Sequence, residues 1–324
     1  MAPDRARAFW IAAPGRGEIR DETLAAPSAS DIVVRARFSG ISRGTEALVF
    51  QGRVPPSEYA RMRAPFQAGD FPGPVKYGYA SVGEVERGPQ DLIGRHVFAL
   101  FPHQTRYVVP AGAVHVLPDA VPPSRAVLAA NLETAINGVW DAAPRRGDRV
   151  VVIGGGTVGC LVAWFARYAH DCDVQLVDVN PRRAAVADAL GVRFTLPDAA
   201  PSGAPIVIHT SATPEGLALA LRVVSFEGTI VEMSWYGDRL VPVPLGADFH
   251  ARRLTIKSSQ VGHVAPARRG EWDTRRRMQL ALESLSDPAL DVLITGESGF
   301  DALPDVMKEL ASSPGDTLCH RIRY

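Results

Sequence analysis

Two different patterns of apolar and polar positions divide the 324-residue chain at about residue 131. Up to that point, short β-rich segments such as DIVVRARFSGISRGTE and YASVGEVERG are separated by glycine and proline, which is typical of a small, partly closed β-barrel. Beyond it, apolar strands alternate with helical segments, which predicts a parallel sheet covered by helices on both faces. The predicted domains are 1–131, 132–260 and 261–324, and the last is expected to return to the first domain.

The segment GDRVVVIGGGTVGCLVAWFARYAHDCDVQLVDVN carries the clearest chemical signal. A β-branched strand, Arg149–Ile153, precedes Gly154-x-Gly156-x-x-Gly159 and an apolar helix, and the next strand ends at Asp178. The first glycine makes a tight turn, the second lets backbone N–H groups approach a pyrophosphate, and the third lets the helix pack on the sheet. This pattern predicts a Rossmann dinucleotide-binding domain. The alternative is a glycine turn at a buried helix start, without a ligand.

We expect NAD as the cofactor, because a carboxylate at the position of Asp178 hydrogen-bonds a ribose 2′-hydroxyl and repels a 2′-phosphate. Arg182 and Arg183 keep NADP open, although they also suit surface charge at a helix start. The predicted cofactor-binding residues are Gly154, Gly156, Thr157, Val158, Gly159, Asp178, Asn180, Arg183 and Ser211.

The segments after Asp178 continue the alternation of strands and helices. Asn180-Pro181 begins a predicted helix that ends near Gly191, and Thr213 caps a second helix over TPEGLALALRVVSFEG. The segments APIVIHTSA, TIVEMSWYG and RRLTIKSSQ are predicted strands. His209 is expected to be a buried, hydrogen-bonded histidine. The predicted residues that line the nicotinamide site are Glu133, Thr134 and Asn137.

Composition and charge exclude several classes of function. The 35 Lys and Arg residues balance the 35 Asp and Glu residues, so no overall field points to nucleic acid or to a membrane surface. The basic run ARRGEWDTRRRMQ favours a solvated helix face over an anion site. Three distant cysteines suit a reducing compartment and form no metal motif. The N-terminal segment lacks a long apolar stretch, so a cytoplasmic location is expected.

The order of these parts resembles the medium-chain dehydrogenase/reductase superfamily over nearly the whole chain. The resemblance is carried by SGISRGTE, YGYASVGEVERG, PRRGDRVVVIGGGTVG and LALALRVVSFEGTIVEMSWYG. GISRGTE and GYASVGEV are most similar to the branch around bacteriochlorophyllide hydroxyethyl dehydrogenase. The resemblance implies a GroES-like catalytic domain with an inserted Rossmann domain. It also implies NAD(P)-dependent oxidoreductase activity on a small-molecule substrate, and a homodimer.

The same resemblance implies that the catalytic zinc of many relatives is missing. Zinc members carry a cysteine where this chain has Ser42, and Gly-His-Glu where it has Gly78-Tyr79-Ala80. They carry a cysteine or glutamate near Asn131. A tetrahedral catalytic zinc needs three protein ligands, and serine, tyrosine and alanine do not supply them. We therefore expect no zinc.

Without a metal, another donor must neutralise the alkoxide charge that develops when a carbonyl accepts a hydride. Tyr79 stands at a former ligand position and is the predicted proton donor, and Lys76 is predicted to lower the pKa of Tyr79. The resemblance aligns Thr45 with the hydroxyl that relays protons and Glu46 with the acid that orients the ligand histidine. The predicted catalytic residues are Tyr79, Lys76, Ser42, Thr45 and Glu46.

Other interpretations of these residues stay open at this point. Tyr77 and Tyr79 can alternate across a strand, Lys76 can be solvated, and Glu46 can be a structural partner of Arg43 or of a backbone amide. Three functions remain: alcohol/carbonyl chemistry, reduction of a conjugated C=C bond as in zinc-free quinone and enone reductases, and dinucleotide binding without turnover.

Overall fold

The computed structural model describes residues 5–324, which form two compact units. The first unit contains the described residues up to Ala130 together with Leu282–Tyr324, and the second spans Asn131–Ala281. The predicted start of the return to the first domain therefore differs from the structure, because residues 261–281 belong to the second unit. The predicted two-domain α/β fold class is confirmed.

The first unit consists mainly of antiparallel sheet. Its strands are β1 (Arg5–Ala13), β2 (Arg16–Thr23), β3 (Asp31–Ile41), β4 (Ala68–Gly69), β5 (Val75–Lys76), β6 (Ser81–Arg87), β7 (His96–Ala99), β8 (Arg106–Pro110), β9 (Val114–Val116), and, from the C-terminal part, β16 (Ile294–Gly299) and β17 (Cys319–Arg323). Its helices are α1 (Arg43–Phe50) and α7 (Leu303–Ser312), and single 3₁₀ segments cover Pro56–Glu58, Ala111–Ala113, Ala126–Leu128, Pro288–Leu293 and Phe300–Ala302.

Two sheets organise the first unit. One has the strand order β2-β1-β5-β4, and the other has the order β16-β17-β3-β6-β7-β9, with β8 also paired to β3. Long β3 pairs with β6, β8 and β17, so it is the central strand of the larger sheet. Its inward side chains, among them Ile32 and Val34, pack with Val85, Val97 and Tyr107 in one core.

The second unit is a parallel sheet with helices. Its strands are β10 (Arg149–Ile153), β11 (Asp173–Val177), β12 (Arg193–Thr195), β13 (Ala204–His209), β14 (Val224–Glu232) and β15 (Thr255–Ser258). Its helices are α2 (Ala129–Ala142), α3 (Thr157–His170), α4 (Arg183–Ala189), α5 (Pro214–Val223) and α6 (Thr274–Ser284), with shorter helical segments at Pro197–Ala199, Leu245–Phe249 and Pro266–Arg268. The strand order β12-β11-β10-β13-β14-β15 is that of a doubly wound dinucleotide-binding fold.

Most of the elements predicted for the second unit lie where the pattern puts them. Strand β10 has the predicted bounds, and Thr213 caps α5 by accepting a hydrogen bond from the Gly216 N–H. The predicted helix after Thr213 is too long, however, because α5 ends at Val223 and β14 begins at Val224. Consecutive β-branched valines favour extended backbone, and Val224 already pairs with Ala204 of β13.

Arg277 explains why residues 261–281 stay with the second unit. Its side chain is 1% exposed and lies against helix α2, where its guanidinium contacts Glu133 at 3.1 Å and the amide oxygen of Asn137. It also donates to the carbonyl oxygen of Val261. The predicted solvated helix face is therefore wrong at Arg277. A buried guanidinium needs several acceptors, and α2 and the preceding loop supply them.

Within residues 5–324, the structure contains no helix with the length and apolar character needed to cross a membrane.

Candidate functional site

A glycine loop and the start of helix α3 form the candidate cofactor cradle of the second unit. Gly154 follows β10 with φ +109°, and α3 begins at Thr157 directly after Gly156. A Cβ added at Gly156 would meet nothing within 4 Å, so the space over this backbone is open. The first N–H groups of a helix lack intrahelical partners and favour an anion. Thr157 and Val158 therefore lie where a pyrophosphate can bind.

Gly159 has a different purpose, because its surroundings are closed. A Cβ at this position would collide with the carbonyl oxygen of Gly154 and would lie 2.6 Å from the Thr210 hydroxyl oxygen. That hydroxyl donates to the Gly154 and Ile153 carbonyl oxygens over 2.9 and 3.1 Å. Only glycine lets α3 approach the loop this closely. The third glycine of the motif therefore serves packing, as the sequence predicts.

Asp178 lies beside the glycine loop with both carboxylate oxygens engaged. One oxygen accepts the Gly155 N–H at 2.6 Å, and the other accepts the Asn180 N–H at 2.8 Å. Each carboxylate oxygen has a second lone pair, so Asp178 can still accept hydrogen bonds from ribose hydroxyls. Arg183 is buried, and its side chain packs near Gly155. Open space at Gly156 and an acceptor at Asp178 fit a nicotinamide dinucleotide.

A row of polar side chains lies at the carboxyl ends of β13 and β14. His209 is 0% exposed, with Nδ1 at 2.7 Å from a Glu232 carboxylate oxygen and Nε2 at 2.6 Å from the Ser211 hydroxyl. The Ser211 hydroxyl lies 2.9 Å from that of Thr213, and the Tyr236 hydroxyl donates to Glu232 over 3.0 Å. The prediction of a buried, hydrogen-bonded His209 is confirmed, and the row links it to a predicted cofactor residue.

A hydroxyl cluster in the first unit contains three of the predicted catalytic residues. The side chains of Ser42 and Thr45 hydrogen-bond to the hydroxyl of Tyr79. The tyrosine residue as a whole is partly exposed. Burial of the phenol, followed by the nearby charge of Glu46, raises the pKa of Tyr79 to about 12. Ser42 precedes α1 without capping it through its side chain, so its hydroxyl faces the tyrosine. Tyr79 therefore keeps its proton at neutral pH.

Glu46 has buried partners in the same unit. One carboxylate oxygen accepts the Ser42 backbone N–H at 2.8 Å, so Glu46 satisfies the start of α1. The other oxygen lies 2.8 Å from His103 Nε2, and His103 Nδ1 lies 2.7 Å from the Ser39 hydroxyl. The alternative of a backbone-amide partner for Glu46 is confirmed. Arg43 is directed elsewhere, to the Thr317 carbonyl oxygen at 3.1 Å.

Lys76 does not act on Tyr79 as predicted. Its ammonium group donates to Glu22 and to Gln104, each over 2.7 Å, and lies over the ring of Trp10. The pKa of Tyr79 is raised rather than lowered. Consecutive strand-like residues point to opposite sides, and positive φ at Gly78 re-aims the chain after Tyr77. Lys76 is a buried ion-pair partner, so the solvated alternative is also wrong.

The residues that the family resemblance aligns with zinc ligands do not fit the metal. Ser42 and Tyr79 hydrogen-bond to each other, and Ala80 has no donor atom. Asn131 offers a neutral amide in place of a thiolate or carboxylate. Among residues 5–324, no group of three or more His, Cys, Asp or Glu side chains is arranged to hold a metal ion. This donor set is unlike that of a tetrahedral catalytic zinc.

Sequence reasoning missed His103, Glu232 and Arg277. Their partners lie far away in sequence, 57 residues for His103 with Glu46 and 144 for Arg277 with Glu133. Glu232 could have been found from the sequence, because an acid at the end of a predicted parallel strand lies at the edge of the sheet where ligands bind. Glu133 and Asn137, which were expected to line the nicotinamide site, are hydrogen-bonded to Arg277.

Comparisons with known proteins agree with this geometry. No protein-family model matches the chain. It is 24% identical over 316 residues to D-guloside 3-dehydrogenase of Escherichia coli K12, which covers 88% of this chain and 87% of that one. It is 31% identical over 215 residues to 2-desacetyl-2-hydroxyethyl bacteriochlorophyllide A dehydrogenase of Rhodobacter capsulatus, which covers 60% and 62%.

Solved structures share the fold over the whole chain. The L-idonate 5-dehydrogenase of Escherichia coli K-12 matches with a TM-score of 0.81 at 14% identity, over 99% of each chain. Other structures with this fold hold NADH or NADP. The chain thus shares its fold with alcohol and polyol dehydrogenases, and its sequence is similar to two named dehydrogenases. These likenesses are consistent with the medium-chain dehydrogenase/reductase superfamily and support an oxidoreductase.

Proposed function

We propose that this protein interconverts a secondary alcohol and a ketone on a small molecule, with NAD(H) and without catalytic zinc. One observation carries the proposal: the Ser42 and Thr45 side chains hydrogen-bond to the hydroxyl of Tyr79, the residue that the family resemblance aligns with a ligand histidine of zinc relatives. The relative that is matched over 87% of its length is named a D-guloside 3-dehydrogenase, and position 3 of a guloside carries a secondary hydroxyl. A hydroxyl-bearing substrate therefore suits this chain.

Tyr79 is suited to donate a proton rather than to accept one. With a pKa of about 12, its phenol is neutral at physiological pH and can hydrogen-bond a developing alkoxide. The Ser42 and Thr45 hydroxyls fix the direction of the phenol and can pass a proton to it. The negative charge of Glu46 opposes formation of a phenolate, so the Tyr79 phenol stays protonated and can act as a donor. These features favour carbonyl reduction as the direction that Tyr79 assists.

The second unit supplies the cofactor end of the reaction. NAD(H), when bound, provides the hydride donor or acceptor. Thr157 and Val158 at the start of α3 would hold the pyrophosphate, and Asp178 would accept the adenosine ribose hydroxyls. The carboxylate of Asp178 disfavours a 2′-phosphate, which supports NAD over NADP. Arg183 is buried near Gly155. Its guanidinium is therefore less available to a 2′-phosphate than that of an exposed surface arginine.

The other functions receive less support. The relatives named above are dehydrogenases of hydroxyl groups, so they favour alcohol chemistry over reduction of a C=C bond. Binding without turnover leaves the hydroxyl cluster around Tyr79 without a purpose. The proposal includes a homodimer, as the family resemblance implies, in the cytoplasm, where the free cysteines Cys160, Cys172 and Cys319 remain reduced. It names a small molecule as the partner, with no nucleic acid or membrane.

A substrate screen tests the proposed function. Purified protein would be mixed with secondary alcohols, sugars, ketones and enones, each with NAD(H) and with NADP(H), while nicotinamide absorbance is followed. We expect turnover on a hydroxyl or ketone substrate, faster with NAD(H). Turnover confined to enones, or confined to NADP(H), would contradict the proposal.

A further inference from the structure

Tyr77 lies two residues before Tyr79, and we propose that it is a second substrate-binding phenol, which holds an oxygen atom on the carbon next to the reacting carbon. The preferred substrate is then a vicinal diol, or the corresponding 2-hydroxy ketone, rather than a simple alcohol. This inference rests on the proposed function, because it takes Tyr79 as the residue that bonds the reacting oxygen. Tyr77 belongs neither to the cofactor motif nor to the positions that the family resemblance aligns with zinc ligands.

The Tyr77 hydroxyl has no hydrogen-bond partner among residues 5–324, although the residue is only 4% exposed. A buried phenol usually finds a partner, as Tyr107 does with the Ser81 hydroxyl at 3.0 Å. Within the same residues, the one side-chain polar atom that is both fully enclosed and unpaired is Gln175 Nε2, so the Tyr77 oxygen is not sealed inside the protein. A buried ring with an open, unpaired hydroxyl is the arrangement expected of a ligand contact.

The Tyr77 hydroxyl lies close to that of Tyr79. The two rings contact edge to face, with centroids 5.9 Å apart and planes at 86°. Burial raises the pKa of Tyr77 well above its ordinary value, and the charges of Tyr79 and Glu46 add to this effect. Glu46 acts on the pKa of Tyr79 in the same direction, after the effect of burial. Because one carboxylate affects both phenols, the two hydroxyls share one part of the first unit, and both are neutral donors at neutral pH.

Neighbouring rings hold Tyr77 in this orientation. Phe71 packs against the Tyr77 ring with centroids 5.7 Å apart, and Tyr59 packs against Phe71 at the same distance. Phe71 is buried, so this contact belongs to the core of the first unit. A side chain that is fixed before the substrate arrives loses little conformational entropy on binding. Tyr77 is therefore a preorganised hydrogen-bond donor beside Tyr79.

Two neighbouring phenols suit two oxygens on neighbouring carbons. Tyr79 bonds the oxygen of the reacting carbon, where charge develops as the hydride is transferred. Tyr77 bonds the oxygen of the next carbon, which the reaction does not change, so this bond stabilises the ground state and the transition state equally. Tyr77 should therefore act on KM, whereas Tyr79 acts on kcat. A simple alcohol leaves the Tyr77 hydroxyl unpaired beneath the bound substrate, which costs affinity.

Matched pairs of substrates test the role of Tyr77. Wild type and Tyr77→Phe would be assayed with NAD⁺ on cyclohexanol against cyclohexane-1,2-diol, and on every other alcohol of the screen against its neighbouring-hydroxyl analogue. Wild type should prefer the diol by about three- to tenfold in kcat/KM, the factor that one hydrogen bond contributes. Tyr77→Phe should lose this preference, because its KM for the diol rises by the same factor while kcat holds.

A stability measurement separates substrate binding from a structural role for Tyr77. Because its hydroxyl has no partner among the described residues, Tyr77→Phe should leave Tm unchanged or raise it. The matched control Tyr107→Phe deletes the contact with Ser81 and should lower Tm. A fall in Tm for Tyr77→Phe as large as that for Tyr107→Phe would assign the Tyr77 hydroxyl to the fold and overturn the inference.

The kinetic outcomes distinguish this inference from the proposed function on which it rests. Equal kcat/KM of wild type on both members of every pair, or a preference for diols that survives in Tyr77→Phe, would overturn the role of Tyr77 and leave the proposed function standing. Absence of turnover on all alcohols, diols and ketones would overturn the proposed function and the role of Tyr77 together.

Discussion

His103 Nε2 lies 2.8 Å from a carboxylate oxygen of Glu46, and each side chain is only 1% exposed. In zinc relatives, the acid aligned with Glu46 orients a ligand histidine at the position of Tyr79. Here the acid is retained but its histidine comes from a different segment, after β7. The pair fixes the start of α1, and with it the two hydroxyls that bond Tyr79. Glu46 therefore supports the hydroxyl cluster through the start of α1.

Replacing His103 by alanine should destabilise the first unit, because Glu46 loses a buried donor. A hydrogen bond to a charged group contributes about 1.5–3 kcal/mol, and we expect the free energy of unfolding to fall by that amount. Urea denaturation measures it. The control is His96→Ala at an exposed histidine. Its free energy of unfolding should fall by less than about 0.5 kcal/mol. Similar losses in the two variants would show that the pair does not stabilise the fold.

Tyr79→Phe removes only the hydroxyl and should lower kcat for ketone reduction by about 10²- to 10⁴-fold, the usual contribution of a general acid. NADH affinity should stay as in wild type. Because the pKa of Tyr79 is about 12, its proton is present at all lower pH values and is lost only above it. Any decline of kcat that reflects Tyr79 should therefore begin only above about pH 11.

Stopped-flow or steady-state kinetics on a substrate from the screen provides the measurement, with Tyr107→Phe as the matched control at a buried tyrosine of the same unit. If Tyr79→Phe turns over at a near-normal rate, the phenol belongs to the wall of the site and another group supplies the proton.

Lys76→Met should leave the pH profile of turnover unchanged, because the ammonium group is committed to Glu22 and Gln104. It should instead reduce stability by about 3 kcal/mol or more, since Glu22 loses the partner of a largely buried ion pair. Thermal unfolding and a pH–rate series on the same variant distinguish the two roles. A shifted alkaline limb with unchanged stability would restore Lys76 to the chemistry.

Asp178→Ser should narrow or reverse the preference for NAD(H). The carboxylate accepts hydrogen bonds from ribose hydroxyls and repels a 2′-phosphate, and serine keeps a hydrogen-bonding group without the charge. Calorimetric titration of wild type and variant with both cofactors measures the ratio of affinities. The control is Asp188→Ser, which changes an exposed aspartate on helix α4, away from the glycine loop. Tighter binding of NADP(H) by the wild type would show that Asp178 does not select the cofactor.

Tag-free protein should contain far less than one zinc ion per chain, and chelators should not inhibit it. The reason is chemical: a serine and a tyrosine that bond each other, an alanine and an amide do not form a zinc site. Elemental analysis after dialysis measures the metal content. A stoichiometry near one zinc, removed together with activity, would contradict this prediction.

The cofactor cradle could be predicted because it is local in sequence. One continuous stretch contains the β-branched run, the three glycines and the acid after the next strand. Each of these parts has its own steric or electrostatic role in the cradle. The joining of Ser42, Thr45 and Tyr79 needed the family alignment as well, because the start of helix α1 and the segment between β5 and β6 must meet. Their hydroxyl chemistry then followed from residue type.

The partners of buried charges could not be predicted. Lys76 and Glu22 are 54 residues apart, and whether they meet depends on how β2 and β5 are registered on either side of β1 in one sheet, which composition and periodicity leave open. The same holds for Arg277, which looks like any other member of a basic run until helix α2 is placed beside it. The wrong role for Lys76 came from treating nearness in sequence as nearness in space.

The unequal surroundings of Gly156 and Gly159 imply an order of decay in a gene copy that no longer needs its ligand. Gly159 would remain, since any side chain there drives helix α3 away from its loop and the protein fails to fold. Gly156, over open space and with φ −74°, would accept other residues at little cost to folding. An intact second glycine in a distant descendant would therefore report selection for dinucleotide binding, whereas an intact third glycine would report only selection for the fold.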